Sequence, residues 1–354
     1  MRPPVGYPLR VIQRVRVKNL RGIRAGELDD LRGLTILLGP NGSGKSAILE
    51  ALLIAASPNA GDAVGRAVRR RTAVSAGARW LVWRSGSAGP AEIEAHGPGL
   101  TTWAQIAISD ATPRPEVRGD ALLQVDWVVE PSRLSALVWF QYGDGATTPR
   151  VRYLVEQLDG RPHPTTFVRM IDPGPAGNDS DLAKVFSGVK EAGRRADAER
   201  LLREVVPELE QLELLVDDQG RPVVGVTYGG AEPRAVPVAL AGDGVLVLTR
   251  IVLELAICPS GLALLEEPEL HQHPRSLRRI AQAIVAAVAR DVQIVLTTHS
   301  EELVRMLLEE ASARAILERA AVVKVKLDGG DLRCAQLAGD AALRAIDEFG
   351  DDLR

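Results

Sequence analysis

Residues Gly39 to Ser46 read GPNGSGKS. Their types and spacing suit the binding of a triphosphate. Gly39, Gly42 and Gly44 permit the unusual dihedrals that turn backbone N–H groups into one cup. Lys45 offers a cation to β- and γ-phosphates, and Ser46 offers a hydroxyl to Mg²⁺. Asn41 and Ser43 complete the nucleotide contacts expected of the loop. A helix starting near Lys45 would add its positive N-terminal end. The bland alternative is a glycine-rich turn between a strand and a helix.

A second group lies in LALLEEPELHQHP, Leu262 to Pro274. An apolar strand that ends in acids can place carboxylates beside such a loop. Glu266 would hold Mg²⁺ through water, and Glu267 would orient and deprotonate an attacking water. His271 and His273 invite a metal reading, but only Glu269 lies nearby and no third nitrogen or sulfur ligand is evident. A structural turn is the alternative. A third group is QIVLTTHS, Gln293 to Ser300. A buried strand delivers His299 at its C-terminal end, where open α/β sheets bind ligands. A neutral imidazole there could hydrogen-bond a γ-phosphate. A packing role is the alternative.

These residues need elements to carry them. Val11 to Val17 alternates apolar and charged side chains, as a half-exposed strand does. Leu34 to Leu38 is a continuous apolar run, expected of a strand buried on both faces. The glycine loop and a helix over Ala47 to Ala56 follow, which is the context the motif requires. Beyond the small and basic residues 59–71, short alternating segments predict an antiparallel meander. They are Arg79 to Trp83, Ala91 to Ala95, Thr102 to Ile108, Leu122 to Val129, Ser135 to Tyr142 and Val151 to Leu158. The loop PGPAGNDSD precedes a helical stretch expected over Leu182 to Leu215, and Val223 to Tyr228 reads as a strand. The last third returns to α/β, with helices over Asp243 to Ile257, Arg275 to Ala289 and Glu301 to Glu318. A hairpin, Ala321 to Leu327 and Asp331 to Leu337, and a short helix close the chain.

The organisation expected is therefore 1–60 as the first part of an ATPase core, 61–170 as an antiparallel β-subdomain, 171–235 as a helical subdomain, and 236–354 as the rest of the core. The net charge of −3 argues against a chain coated with nucleic acid. Arg66, Arg69, Arg70 and Arg71 could still track DNA phosphates, or form a solvated face. Two cysteines, Cys258 and Cys334, stand outside any CxxC pair and fit a reducing compartment. No signal-peptide run and no apolar stretch of membrane-spanning length is evident. A soluble, cytoplasmic protein with no membrane partner is expected.

The three motifs, in this order, resemble ABC-type ATPases of the SMC/RecF-like and OLD-type branch. VRVKNLRGIRAGELDDLRGLTILLGPNGSGKSAILEALL is similar to that branch's opening, and EEPELHQHP resembles the EEPExHLHP form of its small AAA-domain relatives. The resemblance covers about residues 10–56 and 236–300. It implies an α/β P-loop NTPase sheet with an ABC-type antiparallel β-subdomain and a short helical insertion. It implies Mg²⁺-dependent hydrolysis of ATP, although the usual first acid is Asp and here is Glu266.

The resemblance also implies a signature loop that closes on ATP held by a second copy. Leu240-Ala241-Gly242-Asp243-Gly244 is the candidate, with Ala241 where a hydroxyl-bearing serine often stands; an ordinary helix-start turn is the alternative. Gly242, Asp243 and Gly244 are thus expected nucleotide contacts. Arg21 resembles a family basic residue near the nucleotide, or is solvated. A Q-loop is implied near Met170 to Asp172, where no Gln stands. One P-loop and one signature loop per chain imply an ATP-dependent homodimer. DNA is a candidate partner, in repair, maintenance or phage defence. The span after His299 leaves no room for a nuclease or Toprim domain, so an effector would be a separate protein gated by nucleotide. A transporter subunit fits less well, because the meander is long and EEPE is atypical there.

Overall fold

The computed structural model describes residues 12–70, 77–98, 100–109, 121–129, 132–141, 150–159, 167–172, 179–229 and 234–349. The N-terminal eleven residues, Arg71 and most of the loop expected at 173–181 lie outside them. In chain order the elements begin with β1 (Arg14–Leu20), β2 (Ile23–Leu28), β3 (Leu34–Leu38), α1 (Lys45–Ala56) and α2 (Ala60–Arg69). Next come β4 (Ala91–Gly97), β5 (Leu100–Ile108), β6 (Ala121–Val129), β7 (Ser132–Gln141), β8 (Arg150–Asp159) and β9 (Val168–Ile171). The middle holds α3 (Asp179–Glu191), α4 (Arg195–Arg203), β10 (Leu209–Val216), β11 (Pro222–Tyr228) and β12 (Arg234–Pro237). The last third comprises α5 (Asp243–Ile257), β13 (Leu262–Glu266), α6 (Pro274–Val288), β14 (Gln293–Thr298), α7 (Glu301–Ala313), β15 (Ala320–Asp328), β16 (Asp331–Ala338) and α8 (Gly339–Phe349).

Two compact units emerge. One holds Met1–Arg32, Gly39–Val168 and Val323–Ala335; the other holds Gly33–Leu38, Arg169–Val322 and Gln336–Arg354. The first unit is a largely antiparallel sheet in the order β8-β7-β6-β5-β4-β1-β2-β16. Its register is fixed by period-two burial. Ile93 faces Ala104, Ala104 faces Trp127, and all three are buried, as a slip of one residue would prevent. Helices α1 and α2 pack on this sheet. Helix α2 went unread in the sequence. Asn59 caps it, accepting from the Asp62 N–H at 3.0 Å, and Ala60, Ala63, Val64, Ala67 and Val68 line its buried face.

The second unit is built on a parallel core, β3-β14-β13, with β9 beside β13. Every residue of β3 and β14 is buried, which accounts for their mostly apolar sequences; Thr35, Gln293, Thr297 and Thr298 are the buried polar residues among them. A small separate sheet, β10-β11-β12, and the helices α3 to α7 complete one hydrophobic cluster that includes Phe186, Leu202, Leu212, Ile251 and Leu307. Cys258 lies within this cluster, and burial pushes its thiol up to about 12, so it stays protonated and inert.

Two expectations need correction. The helical stretch was expected to run to Leu215, but α4 stops at Arg203 and Leu209–Val216 is β10, paired with β11 from Leu212↔Val226 to Val216↔Pro222. Pro207 cannot continue a helix, and the residues after it pair instead. Arg79 to Trp83 was expected as a strand; Gly77–Leu81 is a 3₁₀ turn that leaves Trp80 exposed. No helix among the described residues is long and apolar enough to cross a membrane.

Phe186 is fully buried in the second unit's core. Phe186→Ala is expected to cost about 3–5 kcal/mol through lost contacts and a residual cavity. Urea unfolding followed by circular dichroism measures it, and a cost below about 1 kcal/mol would contradict the assigned packing.

Candidate active site

The phosphate-binding loop belongs to the first unit. Gly44 precedes α1 with φ of 95°, a left-handed conformation that only glycine adopts at little cost. No acidic residue stands in the first turn of α1, so the positive end of the helix is left to an anion. Lys45 is buried, and its Nζ donates to the carbonyls of Gly39 at 2.7 Å and Pro40 at 3.0 Å. The loop thus holds its own cation beside its backbone amides. Asn41 and Gly42 are exposed, Ser43 is buried, and Ser46 is half-buried on the first turn.

Arg21 points at a carboxylate. Its Nε donates to Glu50 Oε2 at 2.7 Å, and its Nη2 to the Ala67 carbonyl at 3.0 Å. Glu50 is 1% exposed on α1 and also lies 3.8 Å from Arg70 Nη1. A carboxylate this deep is costly to bury unless it is paired, and Arg21 and Arg70 flank it. Sequence reading missed Glu50. An acid in the apolar helix AILEALL was the available signal.

In the second unit, β13 and β14 run parallel with Glu266 opposite Thr297, and β14 and β3 run parallel with Thr298 opposite Leu38. Glu266, Glu267 and His299 therefore stand at the carboxyl ends of these strands. Gly39 is one peptide bond beyond Leu38, as His299 is one beyond Thr298. Glu267 and His299 are brought together: Nε2 lies 2.9 Å from Glu267 Oε1. The distance suits a hydrogen bond but the alignment does not, a common condition before a substrate arrives.

Glu267 also carries strain. Its φ is 43°, unusual for a residue with a Cβ and costing about 1–2 kcal/mol. The conformation is held by its own N–H, which donates to the Thr297 carbonyl at 3.0 Å and lies 3.2 Å from Thr297 Oγ1. Sequence reading also missed the role of Glu269. Its Oε1 accepts from the His299 N–H and from Thr298 Oγ1, both at 2.7 Å. One carboxylate oxygen thus fixes the backbone that carries the histidine.

The turn between β13 and α6 does two further things. His273 caps α6, with its Nδ1 accepting from the Arg275 N–H at 3.3 Å. The turn also meets the start of α5. Gln272 Nε2 donates to the Gly244 carbonyl at 3.2 Å, and a Cβ on Gly244 would lie 2.8 Å from the His271 carbonyl oxygen. Only a glycine fits that approach. Gly242 and Asp243 open α5, and Leu240 is 76% exposed just before them. Among the described residues no three or more His, Cys, Asp or Glu side chains form a cluster that could hold a metal.

Removing the Glu269 carboxylate strands two donors. Glu269→Ala is expected to destabilise by about 1–3 kcal/mol, and Glu269→Gln, which keeps an acceptor oxygen, by less. Chemical denaturation of the pair measures the difference; equal losses would remove the role given to that oxygen.

Residues 160–305 match the family model described as "AAA domain, putative AbiEii toxin, Type IV TA system", and residues 14–69 match a second AAA-domain model. The chain is similar to "Uncharacterized protein MJECL11" of Methanocaldococcus jannaschii, with 32% identity over 114 residues that cover 32% of this chain and 98% of that protein. It is also similar to the "DNA double-strand break repair Rad50 ATPase" of Methanopyrus kandleri, with 42% identity over 48 residues, 14% of this chain and 6% of that protein. Among solved structures, the Smc head bound to the C-winged helix domain of ScpA resembles it at TM-score 0.49 and 14% identity, covering 92% of this chain and 97% of that one. With its P-loop, its acid-ended strand and AAA-domain models matched at both ends, the chain belongs to the AAA-domain P-loop ATPases, enzymes that bind and hydrolyse ATP.

Proposed function

We propose that Glu267 is the base of this ATPase, with His299 as its partner, and that two copies close around ATP in the cytoplasm to act on DNA in repair, maintenance or defence. The observation that supports it most directly is the 2.9 Å approach of His299 to Glu267 at the strand ends. Glu267 takes a proton from the water that attacks the γ-phosphorus, and the bond to the β,γ-bridging oxygen breaks as ADP leaves. His299 holds Glu267 and the γ-phosphate oxygens in line. Lys45 exchanges the carbonyls of Gly39 and Pro40 for phosphate oxygens, and the amides of Gly39, Asn41, Gly42, Ser43 and Gly44 complete the cradle.

Mg²⁺, when bound, neutralises phosphate charge. The Ser46 hydroxyl and the Glu266 carboxylate are hard oxygen donors of the type it takes, and triphosphate oxygens and water supply the rest. Gly242, Asp243 and Gly244 present the N-terminus of α5 to the nucleotide of the partner copy. Arg21 acts through Glu50 on α1, steadying the helix that begins at Lys45.

The involvement of DNA draws on the Rad50 relative, whose name describes double-strand break repair. The AbiEii description of the matching family model favours a second reading, a nucleotide-gated switch for a separate effector protein in defence. ATPase rates with single- and double-stranded DNA across salt separate the two. Stimulation that fades with salt supports the first, and indifference to DNA supports the second.

Two substitutions test the chemistry. Lys45→Ala is expected to weaken ATP binding at least 100-fold in equilibrium titration, and unchanged binding would contradict its phosphate role. Glu267→Gln is expected to lower kcat about 10²–10⁴-fold while keeping ATP affinity, the range of a lost general base. Its mass in solution is expected to double with ATP, and a strict monomer at high concentration would overturn the dimer.

A further inference from the structure

Away from these residues, α4, α5 and α6 of the second unit surround a cavity of about 280 Å³. Its floor is apolar, with Val252 and Leu255 buried and Leu201 half-buried. Its rim is basic. Two of the lining arginines are neutralised: Arg200 by Asp197 at 2.8 Å and Arg314 by Glu310 at 2.8 Å. The other two make no ion pair among the described residues, although Asp197 attracts Arg290 from across the cavity. Arg290 donates to backbone carbonyls, Ala286 at 3.0 Å and Leu255 at 2.7 Å, and Arg194, the residue before α4, makes no side-chain cap of that helix and no ion pair among the described residues. Carbonyls satisfy N–H groups without cancelling a charge. Two guanidiniums without an ion-pair partner therefore repel each other above an apolar floor.

We propose that this cavity binds a small organic phosphate monoester, with its phosphate between Arg194 and Arg290 and its apolar body on Leu201, Val252 and Leu255. A monoester carries about −1.5 to −2 at neutral pH, which matches two unpaired guanidiniums, and its oxygens suit their forked donors. A carboxylate would leave one positive charge over. The volume fits a body of aromatic-ring size and excludes a folded partner. The burial of Arg290, and after it the charge of Arg194, lower the Arg290 pKa. An arriving anion offsets the repulsion between the two guanidiniums, as Asp197 already does in part.

The test uses the full chain with saturating ADP, so that the P-loop is filled. Phenyl phosphate, benzoate, phenol and inorganic phosphate are titrated by calorimetry. Saturable binding of phenyl phosphate is expected, at least tenfold tighter than benzoate or inorganic phosphate, with none for phenol. Arg194→Gln and Arg290→Gln are each expected to weaken it about 10- to 100-fold, the worth of a charged hydrogen-bonded contact. Arg290 also supports two helix ends, so Arg194→Gln, which removes no internal contact, is the decisive variant. No saturable binding of phenyl phosphate, or equal affinity in Arg194→Gln, would overturn the proposal.

Discussion

The parallel pairing of β3 with β14 is the constraint on which the chemistry rests. Leu38 lies opposite Thr298, and both strands are buried along their whole length. A shift of one residue would turn every side chain of a strand over and move its end. Gly39 begins one residue past that line and His299 one residue past it on the neighbouring strand. Strand β13 adds Glu266 and Glu267 at the same level, through Leu265 opposite Leu296. The dry, rigid core fixes where strands stop, and the residues proposed to react occupy the stops.

Around that line the chain spends conformational free energy. Glu267 is held in a left-handed backbone by the Thr297 carbonyl, and Glu269 ties down the peptide of His299. Neither residue could be placed by a regular strand continuing outward. Strain and its restraint by neighbouring strands are a common way of presenting a carboxylate at a defined angle. The same turn reaches Gly244, so a movement of the acid-bearing turn is felt at the start of α5.

The parts visible in the sequence were those with strong local signals. Continuous apolar runs marked β3, β13 and β14, and glycine spacing marked the loop before α1. The helical reading failed at Leu209–Leu215, because leucines at mixed spacing satisfy either period and only pairing with β11 decides. Helix α2 was missed because alanine and glycine carry little hydrophobic signal, although they pack tightly. Glu50 and Glu269 were missed as structural acids for a different reason. Their roles come from partners 29 and 30 residues away in the chain, Arg21 and His299, which local patterning does not reveal.

The long separation of the β3 and β14 partners has a consequence during synthesis. Leu34 pairs near Ile294, so the apolar LTILL segment emerges from the ribosome about 260 residues before its neighbour exists. Contacts across such a distance form late, and in the interval the strand presents both faces to water. The first unit's meander can assemble meanwhile from sequential hairpins. A truncated translation product would therefore carry an antiparallel sheet still lacking β16 and an exposed apolar strand, which makes it a substrate for chaperones and proteases rather than a partial enzyme.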